Sequence, residues 1–340
     1  QAEDGIRDRS PSRGLGDVYK RQVSISKLIT DADVQGFYLC KEKHLRKTRT
    51  GELYLDLTLV DATGEISAKM WDQAQEFNEK FEQGDAVAVR GRVDTFQDRN
   101  QIIVGRINKA TEAKYARYGF KPEDLVPTSP YDPVRMWASL VTIIQKMENQ
   151  FLKKLVSHLY RKHKNRLMSM PASISMHYRY RSGYLEHVLS MAKLGVTLAK
   201  HYNADVDILL SGILLHAIGK VQELTDAFIP EYSDEGNFIG HSVLGRDMVR
   251  AAVSEIKDFP NDLLLELEHL IMCHEGGFDS RYRNRARTKE ALLLQALDNL
   301  DTKVNVFTRI LAEDSEDGSW TSRRNYFGSA LYKGDRPEAE

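Results

Sequence analysis

Alternating hydrophobic and polar positions dominate the first third of the chain. Every second residue is apolar in ELYLDLTLVD (52–61) and in EISAKMW (65–71), and the two segments are joined by a short polar stretch, DATG. A period of two predicts half-buried strands, and Asp, Thr and Gly between them predict a turn. The same criteria predict three more strands, at residues 34–47, 85–96 and 100–107, and one short helix, at residues 72–81. Three strands, a short helix and two strands is the order of a five-stranded OB-type β-barrel.

The remainder of the chain has a helical pattern. A proline-rich stretch, KPEDLVPTSPYDP (121–133), marks a boundary, and apolar residues then recur at spacings of three and four. Helices are predicted at 134–147, 184–202, 207–220, 262–275 and 289–311. The fold class is therefore multidomain, with an all-α bundle after the barrel. The sequence predicts five divisions. Residues 1–22 are an aperiodic, disordered segment that resembles translated adapter sequence, and residues 23–110 form the barrel. Residues 111–133 are a linker, residues 134–334 the all-α domain and residues 335–340 a tail.

Composition indicates the cellular compartment of the protein rather than its activity. A net charge of −1 gives no overall attraction to nucleic acid or membranes, so any such attraction must come from local patches. Two cysteines, Cys40 and Cys273, are too few for a disulfide framework, and no apolar run approaches the ~20 residues of a membrane span. We therefore expect a reduced, cytoplasmic protein that does not bind membranes.

Five polar residues stand out because they lie on apolar helices or at their ends: His187, His216, His241, His274 and Asp298. Any one of them is readily explained as a hydrogen-bonded core histidine or a solvated aspartate. Five together favour a metal site, because a buried carboxylate needs a cation or several donors beside it. Imidazole combined with carboxylate suits transition metals.

The motifs that carry these residues resemble a known family. YLEHVLSM, LLHAIGK, EGNFIGHSVLG, EALLLQALDNLDTK and the terminal FGSALYKG are similar to motifs of the HD superfamily of metal-dependent phosphohydrolases. The similarity is closer to the YhaM-type 3′-to-5′ exoribonucleases, which place an OB domain ahead of the HD domain. It extends from residue 23 to about residue 334.

The resemblance implies that the five residues above are metal ligands. The implied cofactor is a divalent metal, Mn²⁺ in the first place, with Mg²⁺, Co²⁺ or another transition metal as alternatives. Where the family has its signature aspartate, the bridge between two metals, this chain has Ala217, so a binuclear site would be weakened. Whether this alanine is engineered or natural is left open. Glu275 and Gln295 also depart from the family, which usually has histidine at both positions.

Two further residues near these ligands have alternative interpretations. Lys220 is interpreted either as a phosphate contact in the catalytic machinery or as a cation that complements the dipole of a helix C-terminus. Asp301 lies one turn after Asp298, and we favour an ordinary polar helix position over a partner of the metal ligands.

Candidate nucleic-acid contacts occur in both halves. On the barrel, Tyr54, Lys69 and Trp71 point outward from neighbouring strands, as bases and phosphates of a single strand would require. Two basic runs add Lys41, Lys43, Arg46, Lys47 and Arg49 near the first loop, and Arg281, Arg283, Arg285, Arg287 and Lys289 between two implied ligands. The alternative interpretation is a solvated strand edge and a solvated loop.

These features together predict a metal-dependent 3′-to-5′ exonuclease that acts on single-stranded RNA, with DNA as a second candidate, and releases nucleoside monophosphates. Its activity is expected to be impaired by Ala217. The alternatives are a non-catalytic single-strand-binding protein with a degenerate HD domain and an HD phosphohydrolase of small nucleotides. Self-association into a homo-oligomer is left open.

Overall fold

The structure is a computed structural model that describes residues 23–97, 99–121, 124–276 and 285–334. The chain divides into two compact units at Pro127 and Thr128, and residues 227–229 belong to the first unit. The segment 1–22, for which the sequence predicts disorder, and the tail 335–340 lie outside the described residues.

The first unit is a closed five-stranded barrel. Its strands are β1 Asp33–Lys47, β2 Leu53–Asp61, β3 Gly64–Met70, β4 Ala86–Phe96 and β5 Arg99–Lys109, with helix α1 Ala74–Asn78 between β3 and β4. The order around the barrel is β1-β2-β3-β5-β4, closed by antiparallel pairing of β1 with β4 and parallel pairing of β3 with β5. The predicted order of strands and helix is confirmed.

Alternation along the strands explains the core of this barrel. Leu55, Leu57 and Leu59 of β2 are buried, as are Ala68 and Met70 of β3. The intervening side chains are polar and point outward, as the period of two predicts.

Residues beyond β5 pack onto the same barrel. Helix α2 (Glu112–Tyr115) follows β5, and Phe120, Leu125 and Val126 are buried. The rings of Phe120 and Phe37 lie 5.1 Å apart between centroids in an edge-on contact. Part of the segment that the prolines mark as a boundary thus has its own hydrophobic contacts.

The second unit is all-helical. Its helices are α3 Pro133–Gln145, α4 Gln150–Lys162, α5 Lys164–Ser169, α6 Gly183–Tyr202, α7 Val206–Leu215, α8 Lys220–Glu223, α9 Asp234–Phe238, α10 His241–Ser254, α11 Asn261–Cys273 and α12 Lys289–Glu313. The core consists mainly of aliphatic side chains from α3, α4, α6, α7, α11 and α12. None of the helices in the described part of the chain is long and apolar enough to cross a membrane.

The predicted helix at 207–220 is not continuous. Helix α7 ends at Leu215, residues 216–219 form a turn, and α8 begins at Lys220. Gly219 is required here because a Cβ at this position would lie 2.0 Å from the carbonyl oxygen of His241. This close approach brings the turn of LLHAIGK against the beginning of α10, so two of the predicted ligands lie on adjoining segments.

Candidate functional site

Helix ends and helix faces bring the five predicted ligands into one cluster. His187 lies in the first half of α6, His216 directly after α7, and His241 at the first residue of α10. His274 follows the last residue of α11, and Asp298 lies within α12. Because the helices converge in the core of the second unit, residues far apart in sequence meet there.

The potential ligand atoms form two adjoining groups. Within each group the atoms lie within 4.8 Å of one another; the groups are His187, His216 and Asp298, and His241, His274 and Glu275. The rings of His216 and His274 connect the groups, with centroids 4.9 Å apart. Glu275, a departure from the family pattern, still contributes a carboxylate beside His241 Nε2, at 3.4 Å.

Two of the imidazoles are held by buried carboxylates. His187 Nδ1 lies 2.8 Å from Asp301 Oδ2, and Ser190 donates a hydrogen bond to the same carboxylate. Asp301 is therefore not an ordinary polar helix position, and our preference for that interpretation was wrong. His241 Nδ1 lies 2.9 Å from Glu223 Oε1, a partner that the sequence pattern did not indicate.

The other two imidazoles are held by backbone carbonyls of their own helices. His216 Nδ1 donates to Ile213 O at 2.8 Å, and His274 Nδ1 donates to Ile271 O at 2.7 Å. In all four histidines an oxygen acceptor thus faces Nδ1, so that the neutral ring carries its proton on Nδ1 and a lone pair on Nε2. Such outer partners commonly fix the tautomer of metal-binding histidines.

The Nε2 atoms are placed to bind a metal ion. His187 Nε2 is buried without a hydrogen-bond partner among the described residues and lies 3.3 Å from Asp298 Oδ1. His241 Nε2 and His274 Nε2 are 3.3 Å apart. Lone pairs that face each other, or face a carboxylate oxygen, repel unless a cation lies between them. The residues present therefore fit divalent metal ions.

The electrostatics of the cluster agree with a bound cation. Burial lowers the pKa of His216 and His274, so that both stay neutral, which is the form that binds metals. Burial also opposes protonation of His187, but the hydrogen bonds and charges of Asp298 and Asp301 outweigh it and raise its pKa to about 9. The two carboxylates thus favour a positive charge, whether proton or metal, at His187.

Ala217 borders a small cavity at the centre of this cluster. The cavity has a volume of about 50 Å³, and its lining includes the four histidines, a fifth histidine (His177), Asp298 and Ala217 itself. Ala217 is buried, and its methyl group provides no ligand atom. The position from which the family's aspartate would bridge two metals therefore lies on the cavity wall.

Lys220 and Gln295 each make a structural contact next to the ligand cluster. Lys220 Nζ lies 3.1 Å from Glu223 Oε2, while its side chain lines the cavity near His241. Burial alone would raise the pKa of Glu223, but His241 and Lys220 hold it at about 2, so this residue is a carboxylate. Gln295 is buried and donates to the carbonyls of Cys273 and Gly276, so it has a structural contact in place of the family's histidine.

On the barrel, the three predicted nucleic-acid contacts lie together. The rings of Tyr54 and Trp71 stack with centroids 4.6 Å apart. Lys69 Nζ lies 5.7 Å from the ring centroid of Tyr54 and 5.7 Å from that of Phe96, which is exposed. We name Tyr54, Lys69, Trp71 and Phe96 the aromatic platform. Aromatic faces beside a cation are what a single strand of nucleic acid requires.

The basic run at the end of β1 is only partly available to a ligand. Lys43 has a buried side chain that donates to the backbone carbonyls of Asn78 and Phe81, so its predicted place among surface cations was wrong. Lys41 pairs with Glu65, and Arg46 Nε lies 2.9 Å from Asp56.

The remaining predicted cations are exposed or undescribed. Lys47 and Arg49 are exposed and make no ion pair within the described ranges. In the second run Arg285 is exposed, whereas Arg281 and Arg283 lie outside the described residues. Lys289 Nζ donates to Asn203 O at 2.7 Å and has a structural contact.

Comparison with known proteins identifies both units. The family of HD domains matches residues 184–303, and the OB-fold nucleic acid binding domain matches residues 42–110. Three proteins named 3′-5′ exoribonuclease YhaM are similar along most of their length. The one from Halalkalibacterium halodurans is 30% identical over 85% of this chain and 89% of its own. The one from Bacillus licheniformis is 32% identical over 80% and 85%, and the one from Bacillus subtilis 31% over 85% and 91%.

The order of the two domains, the ligand cluster and this identity over most of the length agree with one another. The chain belongs to the YhaM family of 3′-5′ exoribonucleases.

Proposed function

We propose that this protein is a metal-dependent 3′-to-5′ exonuclease of single-stranded RNA, with single-stranded DNA as a second substrate. The observation that carries the proposal is the convergence of four Nε2 lone pairs and Asp298 on one cavity. Family membership supplies the direction of cleavage and the RNA substrate. The barrel's aromatic platform supports single-strand binding.

The metal would be held by His187, His216 and Asp298 on one side and by His241, His274 and Glu275 on the other. A bound divalent metal would supply an activated water and stabilise the charge that develops on a phosphodiester. Mixed imidazole and carboxylate ligands favour a transition metal such as Mn²⁺. The chain's own contribution is rigidity, because Asp301 and Glu223 fix two imidazoles from outside.

Ala217 limits this machinery. Without a carboxylate at position 217, the LLHAIGK turn supplies no anionic ligand between the two ligand groups. We propose that the two ligand groups together hold about one metal per chain, and that the chain binds single strands and degrades them slowly.

Two alternative functions explain the structure less well. A non-catalytic binding protein would not require a ligand cluster in which every imidazole is held by an outer acceptor, so the cluster favours the enzyme. A phosphohydrolase of small nucleotides would not require the aromatic platform on the barrel.

The test is product analysis on a 5′-labelled single-stranded RNA with Mn²⁺, using this chain and Ala217→Asp. We expect fragments shortened stepwise from the 3′ end together with released nucleoside monophosphates. Intact RNA with both proteins, despite measurable binding, would favour the binding protein. Turnover of free nucleotides without shortening of RNA would favour the phosphohydrolase.

The aromatic platform gives a separate prediction. Trp71→Ala or Tyr54→Ala should weaken binding of a long single strand by ~1–3 kcal/mol per stacked base, with little dependence on base sequence. Fluorescence anisotropy with labelled oligonucleotides measures this. Tyr202→Ala, which removes an exposed tyrosine at the end of α6, is the matched control and should bind normally. Unchanged affinity in both platform variants would show that these rings are only structural.

A further inference from the structure

A second and larger cavity shares walls with the ligand cluster. Its volume is about 830 Å³, and Asp298, His241 and His274 lie on the part of its wall that it shares with the small cavity. Cavities that bind small organic ligands commonly measure ~300–1,000 Å³. A ligand of nucleotide size in this cavity would lie against the proposed reacting centre.

Lys303 provides a cation on this wall. It lies five residues after Asp298 on α12, which corresponds to about 7.5 Å along the helix axis. Lys303 is exposed and makes no ion pair or hydrogen bond within the part of the chain that the structure describes. By contrast Lys220, which also lines this cavity, is paired with Glu223. Lys303 is thus the lysine on this wall that is available to a phosphate.

Tyr326 provides an aromatic ring on the same wall. It belongs to the C-terminal segment that contains FGSALYKG, a motif without a role so far. Backbone hydrogen bonds from Thr321 N to Leu331 O and from Lys333 N to Ser319 O close this segment into a loop. The loop is ordered by these contacts, yet the Tyr326 ring is 52% exposed.

The neighbouring Phe327 attaches the loop to α12. Its ring contacts that of Phe307, with centroids 5.6 Å apart. The same helix therefore carries Asp298 and Lys303 and supports the loop that presents Tyr326. An exposed ring and an unpaired cation on one cavity wall match a base and a phosphate, respectively.

We propose that Lys303 and Tyr326 form a subsite for the 3′ end of the strand, an inference that rests on the proposed exonuclease function. The scissile phosphate lies beside the ligand cluster, the next phosphate on its 5′ side pairs with Lys303, and a base stacks on Tyr326. This arrangement makes the site selective for strands that carry a phosphate one nucleotide away from the scissile bond.

Calorimetric binding of two dinucleotides to the full chain in Mn²⁺ tests the subsite. ApA contains only the internal phosphate, whereas pApA adds a 5′-phosphate, so the ratio of their affinities reports on Lys303. We expect pApA to bind more tightly than ApA by about two- to tenfold, the net contribution of a typical hydrogen bond. Lys303→Met should reduce the ratio of the two affinities to about one while leaving the affinity for ApA nearly unchanged.

Tyr326→Ala should weaken both dinucleotides by roughly five- to 150-fold, as expected when a base-stacking ring is removed. Tyr326→Phe should restore binding because it retains the ring. Matched controls are Tyr202→Ala and Lys257→Met, which remove an exposed tyrosine and an exposed lysine that do not line this cavity. Both should behave as the unmodified chain.

The subsite is wrong if the unmodified chain does not bind pApA, or if Lys303→Met and Tyr326→Ala bind both dinucleotides normally. The proposed function fails separately. If Ala217→Asp leaves RNA intact while the two variants lose binding as described, the subsite stands and the exonuclease assignment does not. If Ala217→Asp shortens RNA from its 3′ end while the variants bind normally, only the subsite is rejected.

Discussion

Ala217→Asp should raise the rate of RNA degradation at least about a hundredfold, the order of effect of one essential electrostatic group in an active site. The carboxylate would enter the wall of the cavity of about 50 Å³ between the two ligand groups. There it would offset the repulsion between two divalent cations in adjoining groups. Single-turnover rates on 5′-labelled RNA, at saturating Mn²⁺, measure the gain.

Ala217→Asn is the control for this gain. It has nearly the same size as aspartate and fits the same cavity wall, but it adds no negative charge. We expect Ala217→Asn to remain as slow as the unmodified chain. Equal rates for the aspartate and asparagine variants would contradict a role for charge at position 217.

Asp301→Ala should lower the affinity for Mn²⁺ by about 10- to 100-fold, the usual effect of removing an outer partner of a metal ligand. The physical reason is the bond from His187 Nδ1 to Asp301 Oδ2, which fixes the ring and directs Nε2 into the cluster. Removing Asp301 frees the ring and removes one of the carboxylates that favour a cation at His187. Equilibrium dialysis against Mn²⁺ measures the affinity.

Thermal unfolding separates this effect from simple destabilisation. The metal-free forms of the unmodified chain and of Asp301→Ala are compared first, and then the increase in melting temperature on adding Mn²⁺. We expect a smaller increase in the variant. An unchanged metal affinity would show that Asp301 serves folding alone.

The barrel could be predicted because alternation in sequence maps directly onto the two faces of a strand. Leu55, Leu57 and Leu59 are buried as their spacing requires. Helix α4 was not predicted, although Asn149 caps its first turn and its buried residues recur at spacings of three and four. The signal was present in the sequence but is interrupted by the adjacent lysines Lys153 and Lys154.

The ligands could be predicted, but their partners could not. His187 and Asp301 are separated by 114 residues, and only the packing of α6 against α12 brings them together. Glu223 lies in a polar stretch with nothing in its neighbourhood that marks it as the partner of His241. Lys43 was predicted as a nucleic-acid contact, but its side chain donates to a backbone carbonyl of the barrel. The sequence could not indicate this contact, because the carbonyl acceptor comes near Lys43 only when the barrel closes.

The metal content of the purified chain tests the central claim most directly. After equilibration with Mn²⁺ and removal of free ions, plasma mass spectrometry gives moles of metal per mole of chain. We predict about one for this chain, about two for Ala217→Asp, and a loss in His216→Ala, which removes a ligand of the first group. No specific metal in either the unmodified chain or Ala217→Asp would contradict the assignment of this cluster as a metal centre.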